Sequence, residues 1–153
     1  MTSAAFLSSA ADAPEEGIAL KVMLDAGPAA IDVARRAVLD FLAPHGLSPK
    51  AAYAVELVLE EVLMNIGWHA YDEQSRHEAR LTIRVGADEV LMRFEDDGSA
   101  FDPTRQAESA PPGSLADARP GGLGLRLVRR FARHIGYERR DGSNRLTVGI
   151  GRQ

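Results

Sequence analysis

The sequence has no cysteine. That excludes disulfides, thiol nucleophiles and cysteine-built zinc sites, and it fits a reducing compartment, with the cytoplasm as the default. It also has no apolar run approaching the ~20 residues of a membrane-spanning helix. The Ala/Phe/Leu-bearing start carries no basic segment, so residues 1–17 read as a flexible tail rather than a leader. Excess positive charge is missing too: the formal net charge is −4 and the pI about 5.6, whereas a nucleic-acid or anionic-membrane binder rewards a basic face. No Gly-Lys-Ser or Gly-Lys-Thr is present to make a P-loop. The four histidines, His45, His69, His77 and His134, lack the His-Glu-x-x-His spacing of a zinc site and read as structural.

What remains is one ordinary domain. A chain of 153 residues with 45% hydrophobic and 26% charged content is long enough to bury a core, and residues 18–153 read as the folded part. Ile18, Leu20, Val22 and Leu24 alternate as in a half-buried strand. Near-helical spacing from Ile31 to Leu42 follows Gly27-Pro28, and Ser48-Pro49 caps a second helix whose stripe is Ala52, Val55, Leu59, Val62 and Ile66, running to about Tyr71. Arg80–Val85 and Glu89–Glu95 read as a hairpin turning at Gly86-Ala87-Asp88. Pro103 to Pro120, poor in apolar periodicity, reads as a mobile segment long enough to be a lid. A third helix begins near Gly122 and carries Leu125, Val128 and Phe131. Two strands then flank Asp141-Gly142. This order predicts an α+β fold, a two-layer sandwich with a mixed, mostly antiparallel sheet and its helices on one face.

Three short runs carry chemistry. Glu61 and Asn65 stand four apart and share a helix face, where a carboxylate can act as a base and a carboxamide can offer oxygen to a metal. Glutamates are common on helix surfaces, but asparagine is a poor interior helix former. Magnesium, which wants oxygen ligands and keeps waters, would account for it. His69 continues that face, and Gly67 puts a glycine inside the helix at ~1 kcal/mol relative to alanine, leaving room that suits a nucleotide. Asp96-Asp97-Gly98 is a favoured turn sequence. With Phe101-Asp102-Pro103 beyond it, it also reads as a pocket wall in which Asp96 accepts the exocyclic amine of adenine and Gly98 admits the ring. Gly121-Gly122-Leu123-Gly124 is either a tightly packed helix start or a set of amides for phosphates. Leu127 stands where a dinucleotide fingerprint needs its third glycine. Arg126, Arg129, Arg130 and Arg133 read as a solvated basic face.

Taken together, Glu61-x-x-x-Asn65, Asp96-x-Gly98-x-x-Phe101-Asp102-Pro103 and Gly122-x-Gly124 resemble the N box and the two glycine boxes of the GHKL ATPase superfamily. Within it the chain is most similar to the small anti-sigma-factor serine/threonine protein kinases of bacterial partner-switching systems. The resemblance spans roughly Ile18 to Ile150. It implies a two-layer sandwich that binds ATP and Mg2+, with Glu61 as the base that activates a serine of a STAS-type anti-sigma-factor antagonist. It further implies Asn65 on magnesium, Asp96 and Gly98 at adenine, and Gly122, Leu123, Gly124 and Leu125 at the phosphates. Arg119 lies near the family's lid arginine, and Arg35 resembles a partner-contacting arginine. A sigma factor or analogous regulator is the implied second partner, and a homodimer is compatible. Neither nucleic acid nor membrane is implied as a partner.

Two other functions share these boxes. One is a non-catalytic ATP-binding switch, which the presence of Glu61 disfavours. The other is a detached histidine-kinase catalytic domain, which the absence of a dimerisation helix with a phosphoacceptor histidine disfavours.

Overall fold

The computed structural model describes residues 2–3, 16–24, 27–69, 78–106 and 122–153. The elements are β1 (Thr2–Ser3), β2 (Glu16–Met23), α1 (Pro28–Leu42), a 3-10 turn (Ala43–His45), α2 (Pro49–His69), β3 (Glu78–Val85), β4 (Glu89–Asp96), a short α3 (Pro103–Gln106), α4 (Gly122–Phe131), β5 (His134–Arg140) and β6 (Ser143–Gly151). They form an α+β sandwich with one sheet of order β1-β2-β3-β4-β6-β5. Each pairing is antiparallel, so the parallel component allowed for in a mixed sheet is not found among the described residues.

The local signals explain most boundaries. Gly27 precedes α1 with φ +83°, a left-handed value that glycine adopts without steric cost, and Pro28 follows at the first helical position. Ser48 caps α2: its Oγ accepts the Ala51 amide at 3.1 Å. Asp141 and Gly142, with φ of 53° and 78°, make the tight turn between β5 and β6. Several boundaries differ from the sequence reading. β2 starts at Glu16, inside the stretch read as a tail, and Thr2–Ser3 pairs with it at Ala19 and Ile18; residues 4–15 lie outside the described residues. α2 is described as far as His69, and Tyr71, where the sequence reading ended it, lies outside the described residues. β3 extends back to Glu78, where it meets Met23. The segment read as a lid opens with α3, because Asp102 caps it: Oδ1 accepts the Thr104 amide at 2.9 Å and the Thr104 hydroxyl, and Pro103 sets φ at the first position. Residues 107–120 of that segment lie outside the described residues.

Rows across the sheet show where its core stops. Ile18, Ile83, Met92, Val148 and Ile135 are register neighbours, as are Leu20, Leu81, Phe94, Leu146 and Tyr137. These rows face α1, α2 and α4, and Ile83, Met92, Leu81, Phe94 and Val148 are all at most 1% exposed. Burying each such side chain contributes about 1.5–3 kcal/mol. The buried face of α2 is wider than the stripe read from sequence: Val58 and Leu63 join Val55, Leu59 and Val62 at 0–1% exposure, because the helix packs on the sheet and on both α1 and α4. The next row, Val22, Ala79, Asp96, Asn144 and Arg139, lies on the same face but turns polar at its β4, β6 and β5 positions. That change of chemistry marks the site.

Candidate nucleotide site

Asp96 is the last residue of β4. It is in phase with Met92 and Phe94, so the strand's two-residue period points it under the helices. It is 7% exposed, while Asp97 faces outward. Its Oδ1 accepts the Gly98 amide and the Asn144 Nδ2, both at 3.0 Å. Burial pushes its carboxyl above the usual range, opposed by those two bonds; the Asp97 charge adds to the rise, and Arg139 works against it. Both bonds land on one oxygen, Oδ1.

Asn144 organises the loop that follows. Its Nδ2 donates to Asp96 and to the Ser99 carbonyl at 2.8 Å. Its Oδ1 accepts from the Phe101 amide at 3.3 Å, from Arg139 Nη1 at 3.0 Å and from the Tyr137 hydroxyl. Acceptors surround the nitrogen and donors the oxygen, so one amide orientation satisfies the whole set. Arg139 also reaches the Gly98 carbonyl at 3.0 Å. Gly98 is thus held from both sides. Asn144, Tyr137 and Arg139 were not singled out by the sequence reading. The available signal was phase: in β6 Asn144 occupies the inward register of Leu146, Val148 and Ile150, a polar residue on an apolar face.

From α2, Asn65 meets the same place. It is 3% exposed, makes no side-chain hydrogen bond among the described residues, and lines a small cavity with Asp96, Phe94, Phe101 and Asn144. A carboxamide on the buried face of a helix is uncommon, and its oxygen is the hard-oxygen type of ligand that magnesium takes. Among the described residues no group of three acidic or histidine side chains could hold a metal, so a cation here would depend on oxygens of its nucleotide and on water. Glu61 is half-buried one turn before Asn65. Its carboxyl is raised above its ordinary range, first by burial and then by the charge of Glu60.

The other site candidates fall elsewhere. Gly122 is the first residue of α4, and Leu123, Gly124 and Leu125 lie in its opening turns; their side chains, like Arg119, Gly121 and the His69 ring, lie outside the described residues. Arg35 stands on α1, away from the Asn65/Asp96 cavity, paired with Asp32 and at 3.2 Å with Glu56. Gly67 does not serve the nucleotide side, as its sequence position suggested. It faces Leu24, whose Cβ would stand 3.6 Å from an added Cβ, in a groove between α1 and α2. The run read as a solvated basic face is also not simply solvated, since Arg129 on α4 donates to the Thr104 carbonyl and Arg133, beyond the helix end, to that of Asp88 at 3.2 Å. Among the described residues no helix is long and apolar enough to cross a membrane.

The family model of the histidine kinase-like ATPase domain matches residues 24–150. The chain is 40% identical over 101 residues to the serine/threonine-protein kinase BtrW of Bordetella bronchiseptica, covering 66% of this chain and 71% of that protein. It is 27% identical over 113 residues to the serine-protein kinase RsbW of Listeria innocua, covering 71% and 72%. In the crystal structure of the SiaB-SiaC complex from Pseudomonas aeruginosa, one chain superimposes with a TM-score of 0.64 over 87% of this chain and 88% of its own, at 17% identity. That likeness speaks to the fold alone. The match across residues 24–150 places the chain in the histidine kinase-like ATPase family.

Proposed function

We propose that this protein is an ATP-dependent serine/threonine kinase of a partner-switching system, phosphorylating a serine of a STAS-type anti-sigma-factor antagonist and sequestering a sigma factor or analogous regulator. The observation that carries the reading is the meeting of Asn65 from α2 and Asp96 from β4 on one cavity, with Glu61 one turn before Asn65. The kinase names of the relatives BtrW and RsbW give the reaction class. The cysteine-free sequence suits action in the cytoplasm.

In this reading Asp96 Oδ2 accepts the adenine amine while Asn144 and Gly98 hold Oδ1, so base recognition uses a carboxylate already fixed in place. Gly98 keeps the loop close to the ring. The amides from Gly122 to Leu125 sit at a helix N-terminus, which favours phosphate oxygens. Asn65 would hold Mg2+ through its carboxamide oxygen, and the ion would neutralise phosphate charge. Glu61 takes the proton of the partner's serine hydroxyl as that oxygen bonds to the γ-phosphorus; the bond from phosphorus to the β,γ-bridging oxygen breaks, and ADP leaves with its electron pair. A half-buried carboxyl whose pKa is raised, first by burial and then by the Glu60 charge, is a better proton acceptor than a solvated one. Arg119 is assigned to the phosphates and Arg35 to partner contact.

The experiment is transfer of label from γ-labelled ATP, with magnesium, to candidate antagonist proteins and to versions with the acceptor serine changed to alanine. Label that appears on the antagonist and vanishes with the serine is the expected result. ATP binding without transfer to any candidate would leave a non-catalytic switch.

A further inference from the structure

Residues of α1 and α2, with Leu24, line a groove of about 840 Å³. Along α2 it runs from Tyr53 to Gly67, about 21 Å at ~1.5 Å per residue, or roughly four helical turns. Its walls are apolar, with Ile31, Leu57 and Leu63 inside and Met64 and Tyr53 at the rim, 42% and 56% exposed. A concave apolar strip of this kind on a monomer surface marks a docking face, and a rim methionine adapts to varied partners.

The charges say what docks there. Three carboxylates, Asp32, Glu56 and Glu60, line the groove with one guanidinium, Arg35, and Arg36 beside it pairs with Asp32 at 3.2 Å, so Glu60 carries the excess charge. Arg35 is consumed by Asp32 and Glu56, and Glu60 has no cationic partner among the described residues. The chain's own residues 4–15 contain no lysine or arginine and carry Asp12 and Glu15, so they match poorly. A two-fold contact with a second copy would set one acidic groove against another.

We propose that this groove docks an amphipathic helix of a partner protein, with its apolar stripe on Ile31, Leu57 and Met64 and a lysine or arginine against Glu60. The inference rests on the partner-switching reading and deepens it, giving Arg35 the part of a wall fixed by Asp32 and Glu56.

The test uses the full chain without nucleotide and a fluorescein-labelled helical peptide of about 18 residues, with leucine along one stripe and lysine on its flanks. A twin carrying glutamate in place of lysine is the control. Fluorescence anisotropy should show saturable binding of the lysine peptide and at least ~10-fold weaker binding of its twin. Glu60→Lys should weaken the lysine peptide by ~10-fold, and Met64→Asp or Tyr53→Ser should weaken both peptides. Asp40→Lys, a charge change elsewhere on α1, should leave affinity unchanged, and melting curves identify any variant that has unfolded. The proposal is overturned by no saturable binding, by equal affinity for the two peptides, or by equal losses in Glu60→Lys and Asp40→Lys. A concentration-dependent dimer that Met64→Asp abolishes would overturn it in favour of a second copy. Because binding is read without ATP, a failure here is distinct from a failure to transfer phosphate.

Discussion

Asn144 Nδ2 lies 3.0 Å from Asp96 Oδ1, and the two residues are direct register partners on β6 and β4. The carboxylate proposed to read adenine is therefore positioned by the neighbouring strand. Asn144→Ala removes the donor to Asp96 and Ser99 and the acceptor for Phe101, Tyr137 and Arg139, all in one buried place. Leaving such groups unpaired costs ~1–3 kcal/mol, and ATP affinity should fall with it. Urea unfolding and calorimetry on the same variant check both effects. An Asn144→Ala protein with parental stability and affinity would show that the network positions nothing.

Asp96→Asn tests the burial of that carboxylate in the absence of ligand. Asparagine keeps an Oδ1 that can accept from Gly98 and Asn144. Because the folded pKa of Asp96 is raised, the folded state holds its proton more tightly than the unfolded state. Stability from this group is thus present at low pH and is lost as pH climbs through and above the ordinary carboxylate range. The variant lacks that loss, so its melting temperature relative to the parent should rise between about pH 4 and about pH 7. A difference that stays flat or falls would show that Asp96 is not desolvated.

Two glycines separate rigid from yielding neighbours. An added Cβ at Gly17 would stand 2.9 Å from the Ile83 carbonyl oxygen, part of the sheet backbone, so Gly17→Ala should cost ~2 kcal/mol. At Gly149 the added Cβ would collide with the His134 imidazole instead. That ring is half-exposed and bonded to Glu89 at 2.9 Å, and it can swing out. Gly149→Ala should cost ~1 kcal/mol or less, and the penalty should disappear in a His134→Ala background. Equal penalties at the two glycines, measured by denaturant unfolding, would contradict this account of the contacts.

The sequence was most legible where the signal is local. Ser48-Pro49, Asp141-Gly142 and the alternation in β2 each act within a few residues of the backbone they shape, and the structure shows them at the expected elements. Glu61 and Asn65 were readable because a helix face is set by spacing alone. Asn144 was not, because its partner Asp96 is 48 residues away and the pairing of β4 with β6 rather than β5 is decided by the whole sheet. Arg129 misled for the same reason: its acceptor, the Thr104 carbonyl, lies 25 residues away in the short helix that Asp102 caps. Gly67 misled because periodicity gives a face without saying which neighbour, Leu24 or a ligand, fills it.

The central claim is that Glu61 is the base of a phosphoryl transfer whose nucleotide is held by other residues. The most direct measurement compares Glu61→Ala with the parent for ATP affinity by calorimetry and for label transfer from γ-labelled ATP to the antagonist's serine. The account predicts near-parental affinity and a transfer rate lower by ~10²- to 10⁴-fold. Transfer at the parental rate, or affinity that collapses together with the rate, would contradict it.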